Sequence, residues 1–104
     1  MTIARISFLK STSDMMLFYS KEDKIAVVQQ LMNRGDYEIG PSIYIDGKFQ
    51  GEDAAEEVFD LTNNPSREDE RIRYCGNSRS LSVGDQVIVN GGTYLCLPSG
   101  WATI

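Results

Sequence analysis

Apolar and polar positions alternate at the start of the chain and then change period. In the run Ile3-Ala4-Arg5-Ile6-Ser7-Phe8-Leu9-Lys10, Ile6 and Phe8 share one side and Leu9 takes the other. That two-residue period predicts a first strand beginning near Ile3. Ser11-Thr12-Ser13-Asp14 breaks it, and Met15 to Tyr19 fits either a strand extension or a packed connection. Ile25, Val28 and Met32 then recur at helical spacing, with Val27 and Leu31 widening the stripe. This predicts an amphipathic helix over residues 21–34, with Ser20 as N-cap, Asp23 three residues on, and Gly35 as the left-handed stop. Arg34-Gly35-Asp36 is then a helix end and not an integrin-type ligand.

Period two returns at Ser42-Ile43-Tyr44-Ile45. Asp46-Gly47 before Lys48-Phe49-Gln50 predicts a type I′ hairpin with Tyr44 facing Phe49. Ala54, Ala55, Val58, Phe59 and Leu61 mark a short helix over residues 52–61 with acids opposite, closed by Asn63-Asn64-Pro65. Residues 66–74 carry both signs at i,i+3 and i,i+4 spacing and read as one helical turn or an ordered loop. Ser80 to Val83 reads as a strand and Gly84-Asp85 as a turn or bulge.

Gln86 to Val89 and Thr93 to Leu97 make a second hairpin. An Asn90-Gly91 turn pairs Val87 with Tyr94. A Gly91-Gly92 turn pairs Val89 with Tyr94 and Val87 with Cys96, and it is preferred because it opposes more apolar residues. Trp101 to Ile104 is a last short strand or a docked tail. The order predicts one α+β domain over residues 1–104: a mostly antiparallel sheet with two hairpins and two helices on one face.

Composition narrows the chemistry. The 104 residues carry a formal charge of −5 and no histidine, which gives no general attraction to a phosphate backbone. No apolar run approaches the roughly 20 residues that span a bilayer. The N-terminus lacks a basic-then-apolar signal layout, so a cytoplasmic setting is expected. Cys75 and Cys96 are far apart and form no CxxC pair; both are expected to be reduced, with Cys96 in the core. A zinc site without histidine would need carboxylates for half its shell. No metal, cofactor or catalytic residue is assigned: P-loop, GxGxxG and GxSxG patterns are absent, and so is the usual general base. Asp46, Asp85 and Glu68 to Glu70 remain as carboxylates that a small Mg²⁺-dependent enzyme would use.

Residues 63–104 are the one region whose residue choices exceed what a fold requires, and two charged segments are candidate surfaces. Glu52, Asp53, Glu56, Glu57 and Asp60 run without an intervening base, which is a solvated helix face or an acidic surface for a basic partner. Asn63, Asn64, Arg67, Arg71, Arg73 and Arg79 lie on or beside a polar loop, with Tyr74 among them. Arginines give bidentate phosphate contacts and tyrosine stacks a base. Two blander readings stand beside this one. Glu68, Asp69 and Glu70 neutralise the arginines, or one arginine turns inward and holds the loop to the sheet through carbonyls.

The segment Leu61-Thr62-Asn63-Asn64-Pro65-Ser66-Arg67, then Glu70-Arg71, then Arg79-Ser80-Leu81-Ser82-Val83-Gly84-Asp85-Gln86-Val87 is similar to a pattern of small phage and plasmid proteins. In part it resembles the YodL-like domain, through the Ser-Leu-Ser-Val-Gly-Asp segment, Gly91-Gly92-Thr93-Tyr94 and Gly100-Trp101. The match covers about the last 45 residues. The resemblance implies a phage or mobile-element source, hence the host cytoplasm, and no known activity. The expected function is a non-enzymatic accessory protein that binds and modulates a host macromolecule, a host protein first, as a defence-system inhibitor does. Its surface would combine Glu52, Asp53, Glu56 and Glu57 with the arginine loop. The alternatives are a nucleic-acid-binding module built on that loop and the C-terminal hairpin, and the carboxylate enzyme. An exposed edge strand also allows a homodimer.

Overall fold

A computed structural model describes every residue except Lys21, and of Thr12 the backbone only. The described residues form a five-stranded antiparallel sheet and four α-helices, so the α+β class stands. The strands are β1 (Thr2–Leu9), β2 (Tyr37–Ile45), β3 (Gln86–Val89), β4 (Gly92–Cys96) and β5 (Trp101–Thr103), in the spatial order β2-β1-β3-β4-β5. The helices are α1 (Leu17–Ser20), α2 (Lys24–Asn33), α3 (Gly51–Asn63) and α4 (Glu68–Cys75).

The alternation in β1 splits the core in two. Ala4, Ile6 and Phe8 point to one side, where Ile43, Ile45, Val87 and Val89 join them beneath Ala54, Ala55, Val58 and Leu61 of α3 and Cys75 of α4. Leu9 points to the other side and packs with Phe18 of α1, Val27, Val28 and Leu31 of α2, and Leu95 of β4. Helices therefore lie on both faces of the sheet, not on one. Apolar residues on both sides of β1 require this, since each face must be covered to be buried.

The first predicted hairpin does not form. Tyr37 to Ile45 is one strand that pairs along β1, with Thr2 opposite Ile45, Ile3 opposite Tyr44 and Leu9 opposite Tyr37. Neither Asp46 nor Gly47 has the positive φ that a type I′ turn needs. Instead Asp46 opens a turn that leads into α3: Lys48 N–H donates to Asp46 Oδ1 at 2.9 Å and Phe49 N–H to Asp46 O at 3.0 Å. Tyr44 and Phe49 thus never meet. A long ladder to β1 outweighs a three-residue local return.

The second hairpin forms with Val87 opposite Tyr94 and Val89 opposite Gly92, so its turn is Asn90-Gly91 and not the preferred Gly91-Gly92. Asn90 (φ 51°) and Gly91 (φ 78°) are both left-handed, which matches strand twist in a two-residue loop. Turn geometry decided the register, not the tally of apolar pairs.

Near the N-terminus, residues 12–16 form a 3-10 turn that runs into α1, which resolves the open Met15–Tyr19 segment as helical. Helix α2 starts later than residue 21. Asp23, not Ser20, is its N-cap and accepts from Ala26 N–H at 3.0 Å. Ser20 bonds back to Met16 O instead, and the expected first helical residue, Lys21, lies outside the described residues. Gly35 (φ 74°) ends α2, with Gly35 N–H bonded to Met32 O and Asp36 N–H to Leu31 O. Arg34 pairs with Asp36 at 2.7 Å, so that tripeptide closes on itself. Residues 66–74, left open between turn and loop, lie in a 3-10 turn and α4.

Candidate binding surface

The arginine segment is built around two ionic knots. Pro65 cannot continue α3, and Asn64 caps the following 3-10 turn by accepting from Ser66 N–H at 3.0 Å. That reversal brings Arg67 beneath the acidic side of α3. Its Nη1 donates to Glu57 Oε1 at 2.8 Å and Asp60 Oδ2 at 2.9 Å. Its Nη2 donates to Glu57 Oε2 and Glu70 Oε2, each at 2.9 Å, and its Nε to Glu70 Oε1 at 3.0 Å. All five guanidinium N–H groups are used, and α3 is tied to α4. The bonds to Glu57, then Glu70, raise the Arg67 pKa well above its ordinary range, and Arg67 in turn lowers that of Glu70.

The second knot is Arg79 and Asp85. Asp85 is fully buried and accepts four hydrogen bonds. Two come from Arg79, at 2.6 and 2.7 Å, and two from Leu9 N–H and Ser82 N–H, each at 2.8 Å. Arg79 also donates to Leu9 O at 2.9 Å and Ser80 O at 3.1 Å, and its guanidinium lies 4.6 Å from the Phe8 ring centre. The inward reading of one arginine is therefore the observed one. The pair satisfies both polar backbone groups of Leu9, at the end of β1.

The surrounding segment is not a strand, because side chains claim its backbone. Leu81 N–H donates to Thr62 Oγ1, Asn63 Nδ2 to Leu81 O, and Ser80 Oγ to Thr62 O. Gly84 (φ 92°) has no room for a side chain: a Cβ there would sit 3.0 Å from both Leu9 Cδ2 and Phe18 Cε2. Tyr37 Oη donates to Gly84 O at 2.6 Å. The Ser-Leu-Ser-Val-Gly-Asp residues thus brace the junction of β1, β3 and α3.

The expectation of an available arginine surface is corrected at Arg67 and Arg79, whose charges this domain's own oxygens consume. Asn63 and Asn64 are likewise spent on Leu81 O and on a cap. Arg71 lies 3.6 Å from Glu68, and Arg73 is exposed. Asp46 caps its turn, and Asp85 has no lone pair to offer a metal. Among the described residues no group of three or more Cys, Asp or Glu side chains is arranged to hold a metal ion. Cys75 and Cys96 are buried free thiols, and burial pushes the pKa of both up, Cys96 to about 12.

What remains is the acidic side of α3. Its placement follows from amphipathicity: Ala54, Ala55, Val58 and Leu61 turn inward, and Glu52, Asp53, Glu56 and Asp60 turn out. Asp53, Glu56, Glu57 and Asp60 line a depression of about 510 Å³ with Phe49 and Lys48. Lys48 Nζ lies 5.2 Å from the Phe49 ring centre. Arg67 brings one positive charge against three carboxylates, so that end keeps an excess of two negative charges. Trp101 flanks the helix, edge-on to Phe59 at 6.4 Å and donating to Glu56. Phe49 and Trp101, each partly buried against the core under α3, were missed as neighbours of the acids. An aromatic that follows Asp-Gly-Lys points equally to a hairpin, and only the absence of that hairpin brings it beside α3.

No helix among the described residues is long and apolar enough to cross a membrane. No protein-family model, curated protein or solved structure matches the chain.

Proposed function

We propose that this protein is a non-catalytic accessory protein that binds a host protein through the acidic side of α3, receiving a basic segment of that partner in the depression beside Phe49. One observation carries the reading. Asp53, Glu56, Glu57 and Asp60 converge on one concavity with an aromatic wall, and the caged Arg67 together with Lys48 neutralises only part of their charge. Potential of one sign in a cleft steers an oppositely charged partner and selects against others. The phage or mobile-element setting, and inhibition of a host defence system by covering such a basic surface, rest on the likeness of residues 61–101 to the YodL-like pattern. Of the four arginines on which a nucleic-acid platform would draw, Arg67 and Arg79 are already bound and Arg71 lies 3.6 Å from Glu68.

The test is affinity purification from bacterial cells with the wild-type chain and the Asp53→Lys/Glu56→Lys variant. A protein retained by wild type, released by about 0.5 M salt and lost by the variant supports the reading, since salt screens exposed charge at that strength. A captured set unchanged by charge reversal refutes it. A salt-sensitive mobility shift with RNA or single-stranded DNA would transfer the function to nucleic acid.

A further inference from the structure

The sheet face opposite α3 is only half covered. Helix α2 spans ten residues, about 15 Å, while the eight residues of β1 run about 27 Å. The helix shields Leu9, Leu95, Ala102 and Ile104 and stops there. Beyond it, Ile3, Arg5, Ser42, Tyr44 and Ile88 share an open surface. Arg5 lies opposite Ser42 on one side and Ile88 on the other, and Ile3 lies opposite Tyr44. Ile3 is 53% exposed, Tyr44 47% and Ile88 38%. Ile3, Arg5, Ser42, Ile88 and Asn90 line a depression of about 240 Å³ on this surface.

Arg5 is the only charged residue lining that depression, and it forms no ion pair among the described residues. The chain has 15 acidic residues, yet the surface around Arg5 holds none of the outward acids of α3, which lie across the sheet. An unpaired guanidinium ringed by isoleucine and tyrosine is complementary to a carboxylate ringed by apolar side chains. A polyanion fits less well: nucleic acid has little aliphatic surface for Ile3 and Ile88, and the net charge of −5 repels it. A second copy would set Arg5 near its own symmetry mate in a face-to-face pairing.

We propose that this open half-face docks a linear segment of a partner protein that presents Asp or Glu among apolar residues. It is separate from the acidic side of α3 and opposite in charge preference.

The experiment is selection from a displayed library of random linear peptides on the wild-type chain, with the enriched peptides then titrated against variants. Wild type should enrich peptides with an acidic residue flanked by aliphatic or aromatic ones. Those peptides should bind Arg5→Gln and Ile88→Asp roughly tenfold more weakly or worse, the loss expected when one partner of a desolvated charge pair or an anchor pocket is removed. Arg5→Glu should enrich Lys- or Arg-bearing peptides instead, and Asp53→Lys/Glu56→Lys should bind the wild-type peptides unchanged. Melting curves report whether each variant is folded. Acid-free peptides, peptides indifferent to Arg5→Gln, or no enrichment overturn the proposal. So does sedimentation showing a dimer that Ile88→Asp dissociates, or an oligonucleotide that competes for Arg5.

Discussion

Removing the carboxylate of Asp85 should cost this domain a large part of its stability. In Asp85→Ala the amides of Leu9 and Ser82 lose their acceptor, and Arg79 loses both charged bonds while staying pinned beside Phe8. Each buried amide left unsatisfied costs about 1–3 kcal/mol, and breaking a buried ion pair by removing one partner costs about 3–5 kcal/mol. These figures overlap, because the groups share one carboxylate. The Arg79 side chain also keeps 34% of its surface in contact with solvent, which rehydrates part of its charge. A total of about 3–4 kcal/mol follows, against a typical 5–15 kcal/mol for a whole domain. For a chain of this size it would lower the melting temperature by roughly 15–25 °C.

Arg79→Ala should cost a similar amount for a different reason: it leaves the fully buried Asp85 without its cation. The double variant should then be less destabilised than the sum of the singles, by about 1–3 kcal/mol. The assay is urea unfolding of all four proteins by circular dichroism, with midpoints compared at constant slope. If Asp85→Ala loses less than about 1 kcal/mol, or the two changes add without coupling, the pair is not a brace. The arginine would then be available for a partner after all.

Other outcomes follow from the same geometry. Gly84→Ala should destabilise by about 2–4 kcal/mol, joining left-handed strain to a Cβ 3.0 Å from Leu9 and Phe18, whereas Gly100→Ala, with open space around it, should cost about 1 kcal/mol; thermal melts separate the two. Arg67 holds the Glu70 pKa below its ordinary value, so this pair stabilises the fold above the usual carboxylate range and is lost as pH falls through the lowered value. The acid-side slope of stability against pH should therefore be shallower in Arg67→Ala, and 0.5 M salt should narrow the difference. With thiol pKa values raised by burial, Cys75 and Cys96 should resist a thiol reagent at pH 8 in the native state and both react in denaturant; fast labelling of the folded protein would contradict their burial.

The elements with repeated local signals were legible in the sequence. The period of β1, the helical spacing of α2 with its Gly35 stop, and the inward and outward sides of α3 each have several residues that agree, although in α2 Val27, Val28 and Leu31 are buried while Ile25 and Met32 of the expected stripe are exposed. What failed was set by partners far away along the chain. Asp46-Gly47 has hairpin chemistry, but residues 37–45 are claimed by β1 from outside any local window. Ser80 to Val83 has strand composition, but Thr62, Asn63 and Asp85 take its hydrogen bonds. The acidic surface could be located because it is one stripe on one helix. The fate of the arginines could not: identical spacing suits a caged guanidinium and a free one, and only the reversal at Pro65 and the approach of β1 decide between them. Arg5 drew no notice, because a lone charge in an alternating strand is what a solvated position looks like.

The interior place of β1 in the sheet also bears on when this domain can fold during synthesis. Of the strands in this sheet β1 is made earliest, yet it is flanked by β2 on one side and by β3, from residues 86–89, on the other. Until that late segment emerges, one edge of the nascent sheet has no neighbour, and the Leu9 amide lacks the carboxylate that receives it. Commitment to the native state must therefore wait for residues 85–89, with the early strand exposed meanwhile to holdase chaperones or to stray pairing.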